Sequence, residues 1–243
     1  MATRAEFLER IRREVAKTGG LFPASTAARP SRPADAAEAV RRQMSERWPE
    51  ALERFKTELE QVAGIFHRVG SLAEVPSTIL AIAEEKSATR VVAWDPAVVG
   101  LDLGPALGAA GLSLGVAAAG DTGESARRRH REEAAAAQIG VTGADLALAE
   151  TGSLILISGV GRPRSTSLLP DTHVAVFDRS RLVESLAQVG IVLEAWHVDP
   201  VRSMTGAMIN FITGPSRTAD IELTLTRGVH GPKEVHAIFV EQS

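Results

Sequence analysis

The chain has 243 residues, of which 44% are hydrophobic and 23% are charged, a composition typical of a soluble globular protein of one large domain or one domain with an extension. The absence of cysteine excludes disulfides, thiolate-bound zinc, iron–sulfur clusters held by this chain and a cysteine nucleophile. The net charge of -3 argues against a general nucleic-acid binder, and the six scattered histidines argue against a metal site.

The first 70 residues predict a helical extension with a proline-rich linker. Apolar residues recur at helical spacing over residues 7–15, and two glycines at 19–20 end that helix. Residues 22–33 carry three prolines among small residues, a pattern typical of an extended linker. A second helical pattern runs over residues 35–69, with a break expected at Pro49. The sequence allows these helices to pack on the main domain or on another copy of the chain, which would make a homo-oligomer.

From residue 71 onward the pattern alternates between helices and strands, which predicts an α/β domain over residues 71–243. Helices are expected at residues 78–86, 105–110, 121–138 and 179–189. Strands are expected at residues 90–94, 112–118, 145–149, 153–158, 172–177, 191–197, 208–212 and 234–240. Short apolar strands between helices indicate a three-layer α/β/α fold with a mainly parallel sheet.

Two local patterns refine this picture. Too few residues separate the strands at 145–149 and 153–158 for a crossover, so we expect a hairpin there and a mixed sheet. The run over residues 103–120 is uncharged but rich in alanine and glycine, which favours a buried helix followed by a strand over a membrane span. No secretory signal is evident at the start. We therefore expect a cytoplasmic protein.

The standard motifs for phosphate loops, dinucleotide binding, hydrolase nucleophiles and zinc proteases are missing. The first candidate segment is instead Glu150-Thr151-Gly152-Ser153, directly after an apolar strand. A carboxylate and two hydroxyls on a glycine-containing turn at a strand end suit polar ligand contact, with Glu150 as the acid–base candidate. The structural alternative is a polar hairpin turn.

The second candidate segment covers residues 159–173 and includes Arg162 and Arg164 beside three hydroxyl side chains. Guanidinium groups bind carboxylate or phosphate through two parallel hydrogen bonds, so this segment predicts an anion site. The alternative is a solvated loop with incidental arginines.

The third candidate segment covers residues 213–222. Ser216 or Thr218 is expected to cap a short helix whose free N–H groups attract an anion, with the cation of Arg217 at the same place. A capped helix without a ligand is the alternative. The neighbouring candidates are Gly214, Asp220 and, in a glycine-rich loop before the last strand, His230.

Taken in order, these segments resemble the LUD (lactate utilisation domain) family. The resemblance is carried by Glu150-Thr151-Gly152-Ser153 and by residues 168–173, 214–222 and 228–232, and covers the chain from about residue 71. It implies a fold related to the NagB/RpiA/CoA-transferase group and a role in oxidising L-lactate to pyruvate with two iron–sulfur partner proteins. Larger members of the family add cysteine-rich cluster-binding segments, and this chain has no cysteine. The family supplies no catalytic residue to carry over.

Three hypotheses follow. The chain is a subunit of a lactate-oxidising system that binds a small carboxylate or phosphate through Arg217 and Arg164. Alternatively, it is a free-standing enzyme of the related fold that acts on a sugar phosphate or an acyl-CoA, with Glu150 as nucleophile. The third hypothesis is a non-catalytic structural subunit. The sequence assigns no cofactor.

Overall fold

A computed structural model of the chain describes residues 4–17, 31–120, 123–199, 208–219, 225–227 and 230–242. The chain divides into two compact units, Met1–Ser31 and Arg32–Ser243. The smaller unit contains helix α1 (Arg4–Lys17). Residues 32–70, which were predicted to belong to the extension, lie in the larger unit. Most of the predicted linker at residues 22–33 lies outside the described residues.

The larger unit contains seven described α-helices and twelve described strands. The helices are α2 (Pro33–Gln61), α3 (Val75–Glu85), α4 (Pro96–Val99), α5 (Gly104–Ala109), α6 (Glu124–Ala136), α7 (Ser165–Leu168) and α8 (Leu186–Val198). The strands are β1 (Ile65–Ser71), β2 (Arg90–Trp94), β3 (Ser113–Ala117), β4 (Ile139–Gly143), β5 (Leu146–Leu148), β6 (Ser153–Ile157), β7 (Thr172–Asp178), β8 (Leu182–Val183), β9 (Ile209–Ile212), β10 (Arg217–Ala219), β11 (Leu225–Arg227) and β12 (Glu234–Gln242).

The main sheet has six strands in the order β1-β12-β7-β4-β2-β3, and every described neighbouring pair is parallel. The predicted α/β class with a mainly parallel sheet is therefore confirmed. The predicted hairpin is β5–β6, which is antiparallel. It lies in a separate four-stranded sheet, β8-β5-β6-β9, and not in the main sheet. The relation to the NagB/RpiA/CoA-transferase group stays a prediction.

Side chains alternate across the main sheet and form a core on each face. On one face, Val91 and Ala93 pack with apolar residues of α3 and α5. On the other face, Trp94 packs with α2, α8 and the smaller sheet. Phe177, in the second core, contacts Phe55 at 5.2 Å and Phe239 at 5.6 Å between ring centroids. The smaller sheet thus takes part of the place that a helix layer would fill.

The end of α2 differs from the prediction. The helix continues through Pro49, because its buried face, which includes Leu52 and Phe55, packs into the core. It ends at Gln61, so the helix expected to reach residue 69 is wrong there: residues 65–71 form β1 and pair with β12. Strand β4, one of the two central strands of the main sheet, was missed, because its Ile-Gly-Val-Thr-Gly sequence contains two glycines.

Two further elements were assigned wrongly. The strand predicted at residues 191–197 is part of helix α8, which buries Val189, Val192 and Ala195 at helical spacing. The helix predicted at residues 179–189 is a 3-10 turn over Arg179–Arg181, the short strand β8 and only the start of α8. Short apolar runs do not by themselves distinguish a strand from a buried helix.

The uncharged run at residues 103–120 forms α5 and β3, as expected. Within the described ranges, none of the helices combines the length and apolar character that crossing a bilayer requires.

Candidate functional site

The main sheet has a crevice where its connections diverge. From β2 the chain continues to β3 on one side, whereas from β4 it continues to β7 on the other side. In open α/β sheets, ligands bind outside the carboxyl ends of the strands at such a switch point. Trp94 is the last residue of β2, and Asp145 follows the end of β4. These two residues therefore mark the crevice.

Arg162 fills this crevice. Its Nη1 donates a hydrogen bond to Asp145 Oδ1 at 2.7 Å, and its guanidinium lies 5.8 Å from the ring centroid of Trp94. The other oxygen of Asp145 accepts a hydrogen bond from the Ile157 N–H at 2.7 Å, and Trp94 Nε1 donates to the Pro163 carbonyl at 3.1 Å. The ion pair and the indole ring thus fix the position and plane of the guanidinium.

The loop that carries Arg162 is also anchored to the ends of β2 and β3. The Asp95 N–H donates to the Gly161 carbonyl at 3.0 Å, and Asp95 Oδ2 accepts from the Ala119 N–H at 2.7 Å. Gly161 has a φ of +71°, and a Cβ at this position would lie 2.9 Å from Asp95 Cβ. The left-handed backbone and the close approach both favour glycine here.

A cavity of about 630 Å³ lies against this loop. Its basic lining residues are Arg127, Arg129, His130, Arg162 and Arg164, and its other lining residues, all uncharged, come from the end of β3, from α6 and from the 158–163 segment. The described lining contains no acidic residue. Arg162 pairs with Asp145 at 2.7 Å and Arg129 lies 3.9 Å from a Glu133 carboxylate oxygen, so the positive potential that attracts small anions comes mainly from Arg127 and Arg164.

His130 lies in the wall of the cavity and is buried. Its Nε2 is 3.0 Å from Thr166 Oγ1, and its Nδ1 has no hydrogen-bond partner among the described residues. Burial lowers the pKa of His130, opposed by the nearby Glu133 carboxylate. The imidazole is therefore neutral at pH 7, and the positive charge of the cavity comes from its arginines.

The Glu150-Thr151-Gly152-Ser153 turn does not line this cavity. Glu150 Oε2 accepts a hydrogen bond from the Leu186 N–H at 2.8 Å, so this carboxylate caps the start of α8. Ser153 Oγ lies 2.6 Å from both Thr151 Oγ1 and Thr213 Oγ1. A chain of three hydroxyls therefore joins the hairpin turn to the end of β9.

The turns at Gly152 and Gly214 both pack against the end of α2. Gly152 has a φ of +63°, and a Cβ there would lie 2.2 Å from the Leu59 backbone nitrogen. Gly214 has a φ of +75°, and its Cβ would lie 2.7 Å from the Val62 carbonyl oxygen. Both segments therefore have a packing role on α2.

The helix predicted after Ser216 is wrong. Arg217 and Thr218 lie in strand β10, which pairs with β11, because backbone pairing with the returning chain replaces helix formation. No helix N-terminus is available at Ser216 to attract an anion. Ser216 Oγ accepts a hydrogen bond from the N–H of His230, whose side chain is exposed, and Asp220 lies outside the described residues.

The predicted site residues thus fall into two groups at opposite ends of β6. Ser153 is the first residue of β6, and the loop with Arg162 and Arg164 follows the last residue of the same strand. The length of the strand therefore separates the two groups by roughly 15 Å. Sequence reasoning missed Trp94, Asp145, Arg127, Arg129 and His130. Two of these residues end or follow strands, and the other three lie on a charged helix that is indistinguishable in sequence from a solvated one.

Among the residues that the structure describes, no three His, Asp or Glu side chains are arranged to hold a metal ion. The metal content of the chain stays a prediction.

The family model and the similar proteins of known name point to one family. A family model described as LUD domain matches residues 52–240. Two proteins named lactate utilization protein C are similar: one from a Geobacillus species is 40% identical over 120 residues, and one from Halalkalibacterium halodurans is 46% identical over 110 residues. The aligned segments cover 48% and 45% of this chain and 47% of each relative. The chain therefore spans about half the length of the curated relatives that it matches. A crystal structure of a DUF162 family protein from Deinococcus radiodurans has the same fold, with a TM-score of 0.53 at 20% identity over 79% of this chain and 98% of that chain.

Proposed function

The chain belongs to the LUD domain family, and we propose that it takes part in lactate utilisation by binding a small hydroxy or keto acid in the arginine-lined cavity. The name shared by the curated relatives supports the pathway. The cavity supports the ligand class, because four arginines line it and the described lining contains no carboxylate. This charge imbalance is the observation that carries the proposal.

Arg162 is the central binding residue in this proposal. One of its N–H groups donates to Asp145, and its guanidinium plane is held beside the Trp94 ring. The guanidinium has five N–H groups in a fixed fork, so it can hold a second carboxylate while it keeps Asp145. Arg127 and Arg164, both exposed at the rim, add charge that draws the acid in.

The reaction proposed for the complete system is oxidation of L-lactate to pyruvate, which releases two electrons and two protons. In this proposal the two electrons pass to iron–sulfur partner proteins, since a chain without cysteine cannot hold a thiolate-bound cluster itself, and the two protons pass to solvent. Glu150, the acid–base candidate from the sequence, caps α8 at the other end of β6. The role proposed for the cavity is therefore to bind and orient the acid.

The same arginines also suit a phosphate group. The alternative function is therefore that of an enzyme that acts on a sugar phosphate or an acyl-CoA. In that alternative Glu150 is poorly placed as a nucleophile, since its carboxylate accepts a backbone hydrogen bond outside the cavity. Binding measurements distinguish the two functions, because the first expects small carboxylates and the second expects phosphate esters.

The test is calorimetric titration of the full chain with L-lactate, pyruvate, ribose 5-phosphate and acetyl-CoA, followed by a pyruvate-formation assay with the iron–sulfur proteins added. We expect binding of lactate or pyruvate, and pyruvate formation only in the complete mixture. Binding of a phosphate ester in preference to both acids, with turnover by the chain alone, would support the alternative.

A further inference from the structure

A second and larger cavity, of about 930 Å³, lies between α2, α8 and the residues that follow β7. Arg179 and Arg181 come directly after β7, and Asp145 follows β4. This cavity therefore also lies at the carboxyl ends of the main-sheet strands. It differs from the smaller cavity in size and in having two tryptophans in its lining.

Part of its lining is apolar and aromatic. Met44 and Val192 line it and are buried, and the indole rings of Trp48 and Trp196 line it as well. Trp48 is held by stacking on Phe239, with ring centroids 5.9 Å apart. Indole rings prefer to pack against other flat ring systems. This part of the cavity therefore suits a planar apolar group.

The rim carries a positive charge that the described residues only partly neutralise. Neither Arg179 nor Arg181 has an ion-pair partner within the described part of the chain, whereas Arg41 pairs with Glu38 at 3.2 Å. Two aspartates also line the cavity, Asp199 and Asp145, and the second of these is paired with Arg162 at 2.7 Å. The two arginines of the 3-10 turn are thus the groups suited to hold an anion.

We propose that this cavity binds a planar aromatic anion, with the ring system beside Trp48 and Trp196 and the anionic group on Arg179 and Arg181. An apolar lining with a few convergent polar groups is the usual form of an organic ligand site, and the volume lies within the usual range of about 300–1,000 Å³. Neither feature depends on the lactate proposal, since the two cavities share no lining residue and are linked only by the ion pair between Arg162, which lines the smaller one, and Asp145, which lines the larger one.

The test uses flavin mononucleotide as the probe and riboflavin as its match without phosphate. The chain has three tryptophans and no tyrosine, so Trp94→Phe leaves Trp48 and Trp196 as the only tryptophans. In calorimetry we expect flavin mononucleotide to bind at least about tenfold more tightly than riboflavin, the effect of one charge-assisted hydrogen bond. In Trp94→Phe we expect the probe to quench the remaining emission.

Two arginine variants locate the anionic group. The double variant Arg179→Gln, Arg181→Gln is expected to remove the preference for the phosphate, whereas Arg164→Gln in the smaller cavity is expected to leave it unchanged. Circular dichroism melts check that each variant is folded.

Three results would overturn the proposal: no binding of either flavin to the folded chain, equal affinity for the two flavins, or tighter binding of decanoate than of flavin mononucleotide. The last result would indicate an acyl anion in place of an aromatic one. Failure of lactate binding would leave these measurements unaffected, so the two proposals fail separately.

Discussion

The carboxylate of Asp145 and the guanidinium of Arg162 meet at 2.7 Å in the wall between two cavities. Asp145 is buried, and the Arg162 side chain is 24% exposed. Removing one partner of such a pair leaves the other charge without compensation. Loss of either partner is therefore expected to destabilise the switch point, and the pair limits how strongly Arg162 attracts a ligand.

This relationship predicts the behaviour of Asp145→Asn. We expect the free energy of unfolding to fall by about 1–3 kcal/mol, the cost of leaving a partly buried charged group without its partner. Pyruvate is expected to raise the melting temperature of the variant more than that of the wild type, because the ligand carboxylate replaces the lost one. Differential scanning fluorimetry across a pyruvate series measures both effects. Equal ligand-induced shifts in the two proteins would show that Arg162 does not contact the acid.

Arg164 tests the cavity without disturbing the core. Arg164→Gln is expected to weaken pyruvate binding by about 0.2–1 kcal/mol, the range for an exposed charge at the rim of a site. The melting temperature should change little, since the side chain is exposed. Arg90→Gln is the matched control, because Arg90 is exposed at the amino end of β2, on the opposite edge of the sheet. A similar loss of affinity in both variants would mean that net charge, and not this cavity, governs binding.

Gly152 tests the packing role assigned to the first sequence motif. Gly152→Ala is expected to destabilise the fold by roughly 2–5 kcal/mol, from the left-handed backbone together with overpacking against α2. Gly108→Ala in helix α5 is the control, because nothing lies within 4 Å of its added Cβ, and we expect it to stabilise by about 0.5–1 kcal/mol. Chemical denaturation measures both. A neutral Gly152→Ala would show that this turn does not pack as described.

The buried side chain of His173 is expected to make the free energy of unfolding depend on pH. Burial lowers its pKa to about 3 from an ordinary value of 6.5. Between pH 6.5 and pH 3 the unfolded chain therefore binds a proton that the folded chain does not. Stability contributed by the neutral form is present above pH 6.5 and is lost as the pH falls toward 3, by up to about 1.4 kcal/mol per pH unit.

Urea denaturation at several pH values measures this slope, which we expect to be smaller in His173→Gln. His197→Gln, at an exposed position near the end of α8, is the control and should keep the wild-type slope. His130 and His236, whose pKa values burial also lowers, add to the acid sensitivity that remains in both variants. An unchanged slope in His173→Gln would contradict the assignment.

The sequence predicted much of the α/β pattern, because many of its elements are set by local periodicity. Strands β2, β3, β6, β7, β9 and β12 and helices α3, α5 and α6 lie close to where the apolar spacing placed them. The errors fall where local patterns are ambiguous. Glycines obscured β4, and an apolar run without polar alternation made part of α8 resemble a strand.

The candidate site, like the fold, was predicted only in part. The sequence singled out Arg162 and Arg164 because two arginines beside hydroxyls suit an anion, and both line the smaller cavity. It also singled out Glu150, Gly152 and Gly214, whose described contacts are a helix cap and close packing on α2. A carboxylate or a glycine at a turn has the same sequence signature in a packing role as in a binding role.

Local sequence patterns were enough to predict the class of the fold and the family resemblance, and the composition excludes thiol chemistry in this chain. The meeting of Trp94, Asp145 and Arg162 could be seen only in the folded chain. Trp94 and Asp145 are 51 positions apart in the sequence, and Asp145 and Arg162 are 17 positions apart. The reason is the strand order: pairing of β2 with β4 brings their carboxyl ends together. The cation that lies there comes from a loop whose place in space depends on the smaller sheet, and no local pattern encodes that long-range pairing.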